Sequence, residues 1–473
     1  MSPIIVNGGL DINVLWSVHV LASYALVRDI NIEREDVEND LAYFVTTLDN
    51  GERMATEWDP EQRLGVKRAI DTIPNVYRQA WHYIGLDSVD RVLDEIVTAE
   101  QDHSISPFSK IKNVQIKAVV LNFTDGMETD NWPGISVIRG LEKRQLAFTG
   151  ANSTLYYLDS DKALIKQHLI ESCTPTPGYY DIYPQSNTQQ QQQQQHMSTC
   201  EYSGPELQKV KKEDEAHKAD ILNKLSKLKF PLLVKPANSS SSRGISAKSV
   251  VDTPEEAYER AMETKRVWGP VYVEEYITGR EYTVLVSGSQ ETEIKVYKVL
   301  ERVFRSQIPE RERLLTHEMK WGGNSYGSDE TVETASWWMQ ICSDADQERL
   351  QPLAMSIYAS FGGNGYCRMD LREDQRSSEV FVVDVNVNCS IDENEDCAMG
   401  KILKASGLTL GQFFLTLMED AVLVQGNLQA KARDHLNLKS LPTIVALNIG
   451  SASIKAAIDE GNANDSATVR VGA

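Results

Sequence analysis

The chain has 473 residues with a formal net charge of −20, enough length for two or three domains with sizeable cores. So acidic a balance argues against a protein that wraps nucleic acid or lies on an anionic membrane. Without a long apolar run, a basic N-terminal leader or C-x-x-C spacing among the six cysteines, the expectation is a soluble cytoplasmic protein with no structural zinc and no disulfide framework.

In chain order, residues 1–113 alternate apolar stretches such as Leu15 to Val27 and Val76 to Ile84, both read as helical, with polar connections. Gly8-Gly9 after Ile4 and Val6 reads as a turn or as the lining of a ligand site. Val114 to Asn122 predicts a buried strand, followed by the loop Phe123 to Pro133 and a helix from Gly134 to Lys143, an α/β rhythm. Beyond Phe148-Thr149-Gly150 and the apolar Leu155 to Leu158, a helix carries Lys162 and Lys166 on one face, four residues apart. That face is either solvated or anion-binding. Gln189 to Gln195 marks a disordered or weakly helical insertion, with regular structure resuming near Ile221.

Phe230 to Val234 reads as a buried strand that ends on Lys235, and Ser239, Ser240, Ser241, Ser242 and Gly244 form a loop of small residues behind it. Small side chains let backbone N–H groups approach an anion, hydroxyls add donors, and glycine tolerates positive φ, so the layout suits a phosphate as well as it suits a surface turn. Thr253-Pro254-Glu255-Glu256 is a capping box with proline in the first helical position, opening a helix to about Lys265. Val271 to Ile277 and Glu281 to Val286 predict two strands paired as a hairpin through Thr278-Gly279-Arg280. Glu274, Glu275 and Glu281 lie there as solvent-facing acids or as acceptors for a nucleoside. Farther on, strand periodicity puts Arg368 with Asp370, and Asp384 with Asn386 and Asn388, on common faces. Hard oxygen donors on adjacent strands suit Mg²⁺.

Taken together, the F-T-G-A step at Phe148 to Ala151, D-K-x-x-x-K at Asp161 to Lys166, F-P-x-x-V-K-P with its serine loop, V-E-E-Y-I-x-G-x-E-Y-T-V, G-Y-x-R-x-D and D-x-N-x-N resemble the ATP-grasp ligases of the D-alanine–D-alanine ligase-like group. The resemblance implies an α/β chain of α+β subdomains. Its parts are an N-terminal α/β domain (1–150), linker helices with the glutamine-rich insertion (151–229), a central ATP-grasp subdomain (230–290), a C-terminal subdomain with a metal site (291–425) and an extension (426–473). Carried over, Lys162 and Lys235 bind phosphate, as do Ser241 and Ser242 of the loop. Glu274, Glu275 and Ile277 read adenine, Glu281 takes the ribose, and Lys320 closes over the triphosphate. Arg368 meets an oxyanion, while Asp370, Asp384 and Asn386 ligate Mg²⁺, with Mn²⁺ as the alternative ion.

The chemistry implied is ATP-dependent joining of a small, amino-acid-like carboxylate to an amine, in a protein that acts alone or as a homodimer. A phosphotransferase or acyl-transfer enzyme with a non-amine acceptor, or an ATP-binding module without turnover, are the alternatives. Two departures from the family pattern stand out. Ser239 and Ser240 replace a common Glu-Gly, and Asp392, Glu393, Glu395 and Asp396 occupy the place of a Pro-Gly turn, either selecting an amine with an additional positive charge or without a carboxylate, or capping the next helix.

Overall fold

The computed structural model describes residues 41–49, 60–73, 76–101, 115–124, 126, 128, 133–182, 205–237, 242–321, 336–392, 397–436, 444–450 and 453–458. Leu15 to Val27, Gly8-Gly9, the glutamine run and Ser239 to Ser241 lie outside them. The chain divides into two compact units, Met1–Val422 and Leu423–Ala473.

The first unit opens with a parallel sheet in the order β2-β1-β3, formed by β1 (Leu41–Asp49), β2 (Val76–Tyr83) and β3 (Gln115–Asn122). Val76 to Ile84 was expected to be helical and is instead the edge strand of this sheet. Its valine, tyrosines and tryptophan are strand formers, and pairing with β1 outweighs the 3.6-residue spacing of its apolar residues. Val119, Val120 and Leu121 are buried on both faces of β3, which explains their unbroken apolar run. Helices α1 (Pro60–Asp71), α2 (Val89–Gln101) and α3 (Ile135–Lys143) accompany the sheet. Val92, Leu93 and Ile96 of α2 pack with Val137 and Leu141 of α3 against Val120.

Two short helices, α4 (Ser153–Asp159) and α5 (Lys162–Glu171), lead to a second, antiparallel sheet in the order β4-β7-β5-β6. Its strands are β4 (Tyr179–Asp181), β5 (Leu232–Pro236), β6 (Val250–Val251) and β7 (Val271–Glu275). Alternation divides it. Leu232, Val234, Val271 and Val273 pack under α6 (Pro205–Leu225) and α7 (Pro254–Trp268), leaving Lys235, Tyr272 and Glu274 for the opposite face. Helix α6 reaches back through the charged residues ahead of Ile221, where the sequence suggested disorder or a weak helix. Thr253 caps α7 as expected, its side chain accepting from the Glu256 N–H.

A third, antiparallel sheet has the order β11-β10-β8-β12-β13, with β9 (Lys295–Val296) alongside β8. It contains β8 (Gly279–Ser287), β10 (Leu300–Phe304), β11 (Trp337–Ile341), β12 (Tyr366–Asp374) and β13 (Val380–Val387). The expected β7–β8 hairpin is not formed: β7 pairs with β4 and β5, β8 with β10 and β12, and Tyr276-Ile277-Thr278 spans the two sheets. Both strands are buried nearly throughout, so each gains more by entering a sheet with covered faces than by forming an isolated ribbon. Tyr282, Val284, Cys367, Met369 and Leu371 turn one face of this sheet to α4, α5 and α9 (Asp344–Ser360). The other face is polar along its middle. Helix α8 (His317–Trp321) follows β10 after a connecting segment, and α10 (Ala398–Ala405) and α11 (Leu410–Leu436) build a core that also contains Val66, Ile70 and Leu121.

The second unit comprises the end of α11 and an antiparallel pair, β14 (Ile444–Gly450) with β15 (Ser453–Ile458). Among the described residues no single helix is long and apolar enough to cross a membrane.

Candidate functional site

Helix α5 stands where the second and third sheets meet, and its lysines join them. Asp161 caps the helix through the Ala163 N–H, which places Lys162 in the first turn and Lys166 one turn later on the same side. The Lys166 ammonium is buried. It contacts a Glu274 oxygen at 3.0 Å, the Thr176 hydroxyl at 2.7 Å and the Val382 carbonyl at 3.3 Å. Lys235 approaches the other Glu274 oxygen at 2.7 Å and lies over the Tyr272 ring. One buried carboxylate thus serves two lysines. Burial would raise the Glu274 pKa, but Lys166 and Lys235 outweigh it and hold the group below the usual range. Burial pushes Lys166 down to about 8 despite Glu274, with Lys235 adding repulsion.

Lys162 meets Asp384 of β13 at 3.3 Å. Its pKa is raised, since Asp384 and Asp159 overcome the effect of burial, and Asp384 is lowered in turn by Lys162 and Lys235 against its own burial. Asp384 lies directly across from Asp370 of β12, and Asn386 across from Arg368. Arg368 contacts Asp370 at 3.3 Å, while Asp370 Oδ1 and Arg368 Nε are buried without a hydrogen-bond partner. Two carboxylates and an amide on adjacent strands, with one buried carboxylate oxygen unused, fit a hard divalent cation. Asn388, expected on the same face, leaves it. It stands after the strand end at φ 49°, and its Oδ1 accepts the Ala151 N–H at 2.8 Å, fastening the FTGA segment to the end of β13. Its role is structural because the strand stops one residue before it.

The remaining candidates are arranged differently. Glu275 turns its carboxylate to the Lys229 N–H, and the Ile277 carbonyl accepts from Arg372 at 2.8 Å. Glu281 is buried between Arg302 and Arg372. Ser242 and Gly244 adopt positive φ, as a tight anion-binding or surface turn requires, and a Cβ on Gly244 would lie 2.6 Å from Pro236 Cγ. Lys320 belongs to α8, with its side chain outside the described atoms. Asp392 is half-buried, and residues 393–396 lie outside the described set, as does the proposed acidic lining they would form.

Tyr272, Arg302 and Arg372 are residues beside the site that sequence reasoning passed over, and Lys166, noted by its spacing behind Lys162, was given no role of its own. Arg372 continues the period-2 face of Arg368 and Asp370, whereas Arg302 becomes visible only through the pairing of β10 with β8.

The chain is similar to known proteins in sequence and fold. The family described as D-ala D-ala ligase C-terminus matches residues 193–419. A D-alanine–D-alanine ligase B of Clostridium tetani is 30% identical over 174 residues, 37% of this chain and 43% of its own length. A D-alanine–D-alanine ligase of Acinetobacter baylyi is 26% identical over 170 residues, 36% of this chain and 48% of its own. The chain therefore spans less than half the length of these relatives. Among solved structures, the VanG D-Ala:D-Ser ligase of Enterococcus faecalis superimposes with a TM-score of 0.50 at 17% identity over 82% of this chain and 100% of its own. A Bacillus anthracis D-alanine–D-alanine ligase complexed with ATP gives 0.50 at 15% identity over 82% and 99%. These likenesses establish the fold. Through residues 193–419, the chain is similar to the C-terminal part of D-alanine–D-alanine ligases.

Proposed function

We propose that the protein is an ATP-dependent carboxylate–amine ligase, forming an amide or peptide bond through an acylphosphate and releasing ADP and phosphate. The observation that carries this reading is the Lys162–Asp384 pair, which brings the lysine-bearing wall of α5 and the second sheet against the acid-bearing face of the third. Polyphosphate and a cationic counter-ion need both walls.

In this reading Lys162 and Lys235 hold phosphate oxygens, with Ser242 and the Gly244 turn beside them. Lys166 keeps Glu274 in place for the nucleoside base at the Glu275 to Ile277 linker. Mg²⁺, held by Asp370, Asp384 and Asn386, would supply charge neutralisation across the phosphates when bound. The substrate carboxylate attacks the γ-phosphorus and ADP leaves. The amine then adds to the acyl carbon, and phosphate departs as the tetrahedral centre collapses. Arg368 offers its unused Nε–H to the oxygen that gains charge in that step. No side-chain nucleophile is required. Lys320 and the segment ahead of it exclude water, which would otherwise hydrolyse the acylphosphate.

The test is phosphate release from ATP across a panel of carboxylate and amine pairs, with product masses measured. An amide product and phosphate release that depends on the amine are expected. ADP formation without an amine, with a phosphorylated acceptor in place of free phosphate, would favour a phosphotransferase, and nucleotide binding without turnover across the panel would favour a binding module.

A further inference from the structure

We infer that Thr283 is a positioning residue of the cation site, its hydroxyl holding a water of the ion's shell beside Asp370. The inference rests on the Mg²⁺ reading above and adds to it a residue that acts on the ion only through water.

Thr283 lies on β8 directly between Leu300 of β10 and Asp370 of β12, and Asp370 in turn faces Asp384 of β13. These residues form one row across the third sheet. Tyr282 and Val284 pack with Met369 and Leu371 against the helices, so alternation turns Thr283 and Asp370 together onto the opposite, polar face. Leu300 is apolar, which leaves Asp370 as the polar neighbour of Thr283 within the row. Thr283 is 1% exposed, yet its Oγ1 has no hydrogen-bond partner among the described residues. The same holds for Asp370 Oδ1, whereas the other Asp370 oxygen is drawn to Arg368 at 3.3 Å.

A buried hydroxyl with no bond destabilises the fold, and a sheet keeps one only where a ligand or a water completes it. The Cβ atoms of directly opposed residues stand about 4.5–5.5 Å apart, so one water can touch both Oγ1 and Oδ1. Mg²⁺ supplies such a water. It dehydrates reluctantly, takes only one or two carboxylates and keeps the rest of its shell as water. Waters polarised by the ion are strong donors, and Thr283 offers them lone pairs next to the Asp370 carboxylate. Partners of this kind orient the ligands of a metal and tune its affinity without contacting it.

The experiment is titration of the full chain with Mn²⁺, alone and with ADP, followed by the electron paramagnetic resonance signal of the free ion. The wild type is compared with Thr283→Val, Thr283→Ser and Asp384→Asn. Valine keeps the β-branched shape and removes the hydroxyl. Thr283→Val is expected to raise the Mn²⁺ dissociation constant by about 10-fold or more, as loss of an outer-shell partner does, and Thr283→Ser to stay within about threefold of the wild type. The metal-free thermal midpoint of Thr283→Val is expected to match or exceed that of the wild type, because the hydroxyl it removes has no protein bond to lose. Unchanged Mn²⁺ affinity in Thr283→Val, an equal loss in Thr283→Ser, or a lower metal-free midpoint would overturn the inference and make the side chain part of the fold. Failure of Thr283→Val to fold is the extreme of that last result and counts with it. If the wild type binds no Mn²⁺, or Asp384→Asn binds it equally well, the metal reading itself falls and takes this inference with it.

Discussion

Glu274 shares one buried carboxylate between Lys166 and Lys235, and the two lysines respond differently to pH and to truncation. With burial holding Lys166 near 8, the free site loses this proton above that pH, and an incoming anion must bring it back. Affinity for an ATP-like anion is therefore expected to fall by up to about tenfold per pH unit above 8, and the step is expected to disappear in Lys166→Met. Titrations between pH 7 and 9.5 check both. Lys235→Ala is expected to lower turnover by roughly 10²- to 10³-fold with an unchanged circular dichroism spectrum, since a preorganised cation at developing charge is worth that much. Near-normal turnover by the folded variant would remove Lys235 from the phosphate site. On the acid face, Asp384→Asn and Asn386→Ala are expected to raise the Mg²⁺ requirement. Asn388→Ala should leave that requirement unchanged and cost about 1–2 kcal/mol of stability, because it strands the buried Ala151 N–H.

Elements meet the site through a few close approaches. Gly365, just before β12, has φ 78°, and a Cβ there would lie 2.1 Å from the Gly150 carbonyl carbon. Gly365→Ala is therefore expected to cost about 2–3 kcal/mol, read as a lower denaturation midpoint, through backbone strain and the forced separation of the FTGA segment from the strand. The connection after β10 is held down over the inter-sheet linker. Tyr276 Oη donates to the Arg313 carbonyl at 2.8 Å, Leu314 packs near Leu233 and Val250, and Arg311 reaches the Val250 carbonyl at 3.0 Å and Asp252 at 2.7 Å. Since Arg311 and Asp252 are half-exposed, their pairing contributes little to global stability. Its loss should act locally. Arg311→Ala is expected to speed tryptic cleavage between Arg302 and Lys320 without changing the thermal midpoint, and unchanged cleavage would mean that Tyr276 and Leu314 suffice to hold the segment.

At the scale of the molecule, the buried Glu274 and the half-buried Asp384 tie the sheets together and set its acid limit. Glu274 and Asp384 have folded pKa values below their unfolded ones, so their contribution is complete above about pH 4 and is lost as pH falls through the folded values. Thermal midpoints should thus hold from pH 7 to 5 and drop steeply below 4, with a shallower drop in Glu274→Gln. A profile of the same steepness in that variant would place the acid-labile contacts elsewhere.

Legibility from sequence followed the range of the interactions involved. The strand ending on Lys235, the Thr253 cap of α7 and the alternating faces of β12 and β13 depend on neighbours within a few residues, so periodicity and capping chemistry determine them. Six short motifs in order were likewise enough to indicate the ATP-grasp group. What sequence could not decide was which strands pair. Val76 to Tyr83 entered a parallel sheet against its helical spacing, and β7 and β8 separated into different sheets although only Tyr276-Ile277-Thr278 lies between them. The charge partners follow from that pairing. Lys166 appeared to belong to a solvated helix face until packing between two sheets buried it on Glu274, and Glu281 looked like a free acceptor until β10 and β12 brought an arginine to each side. Contacts between residues 21 to 108 positions apart draw their energy from desolvation and cross-strand geometry, which exist only once the sheets have assembled.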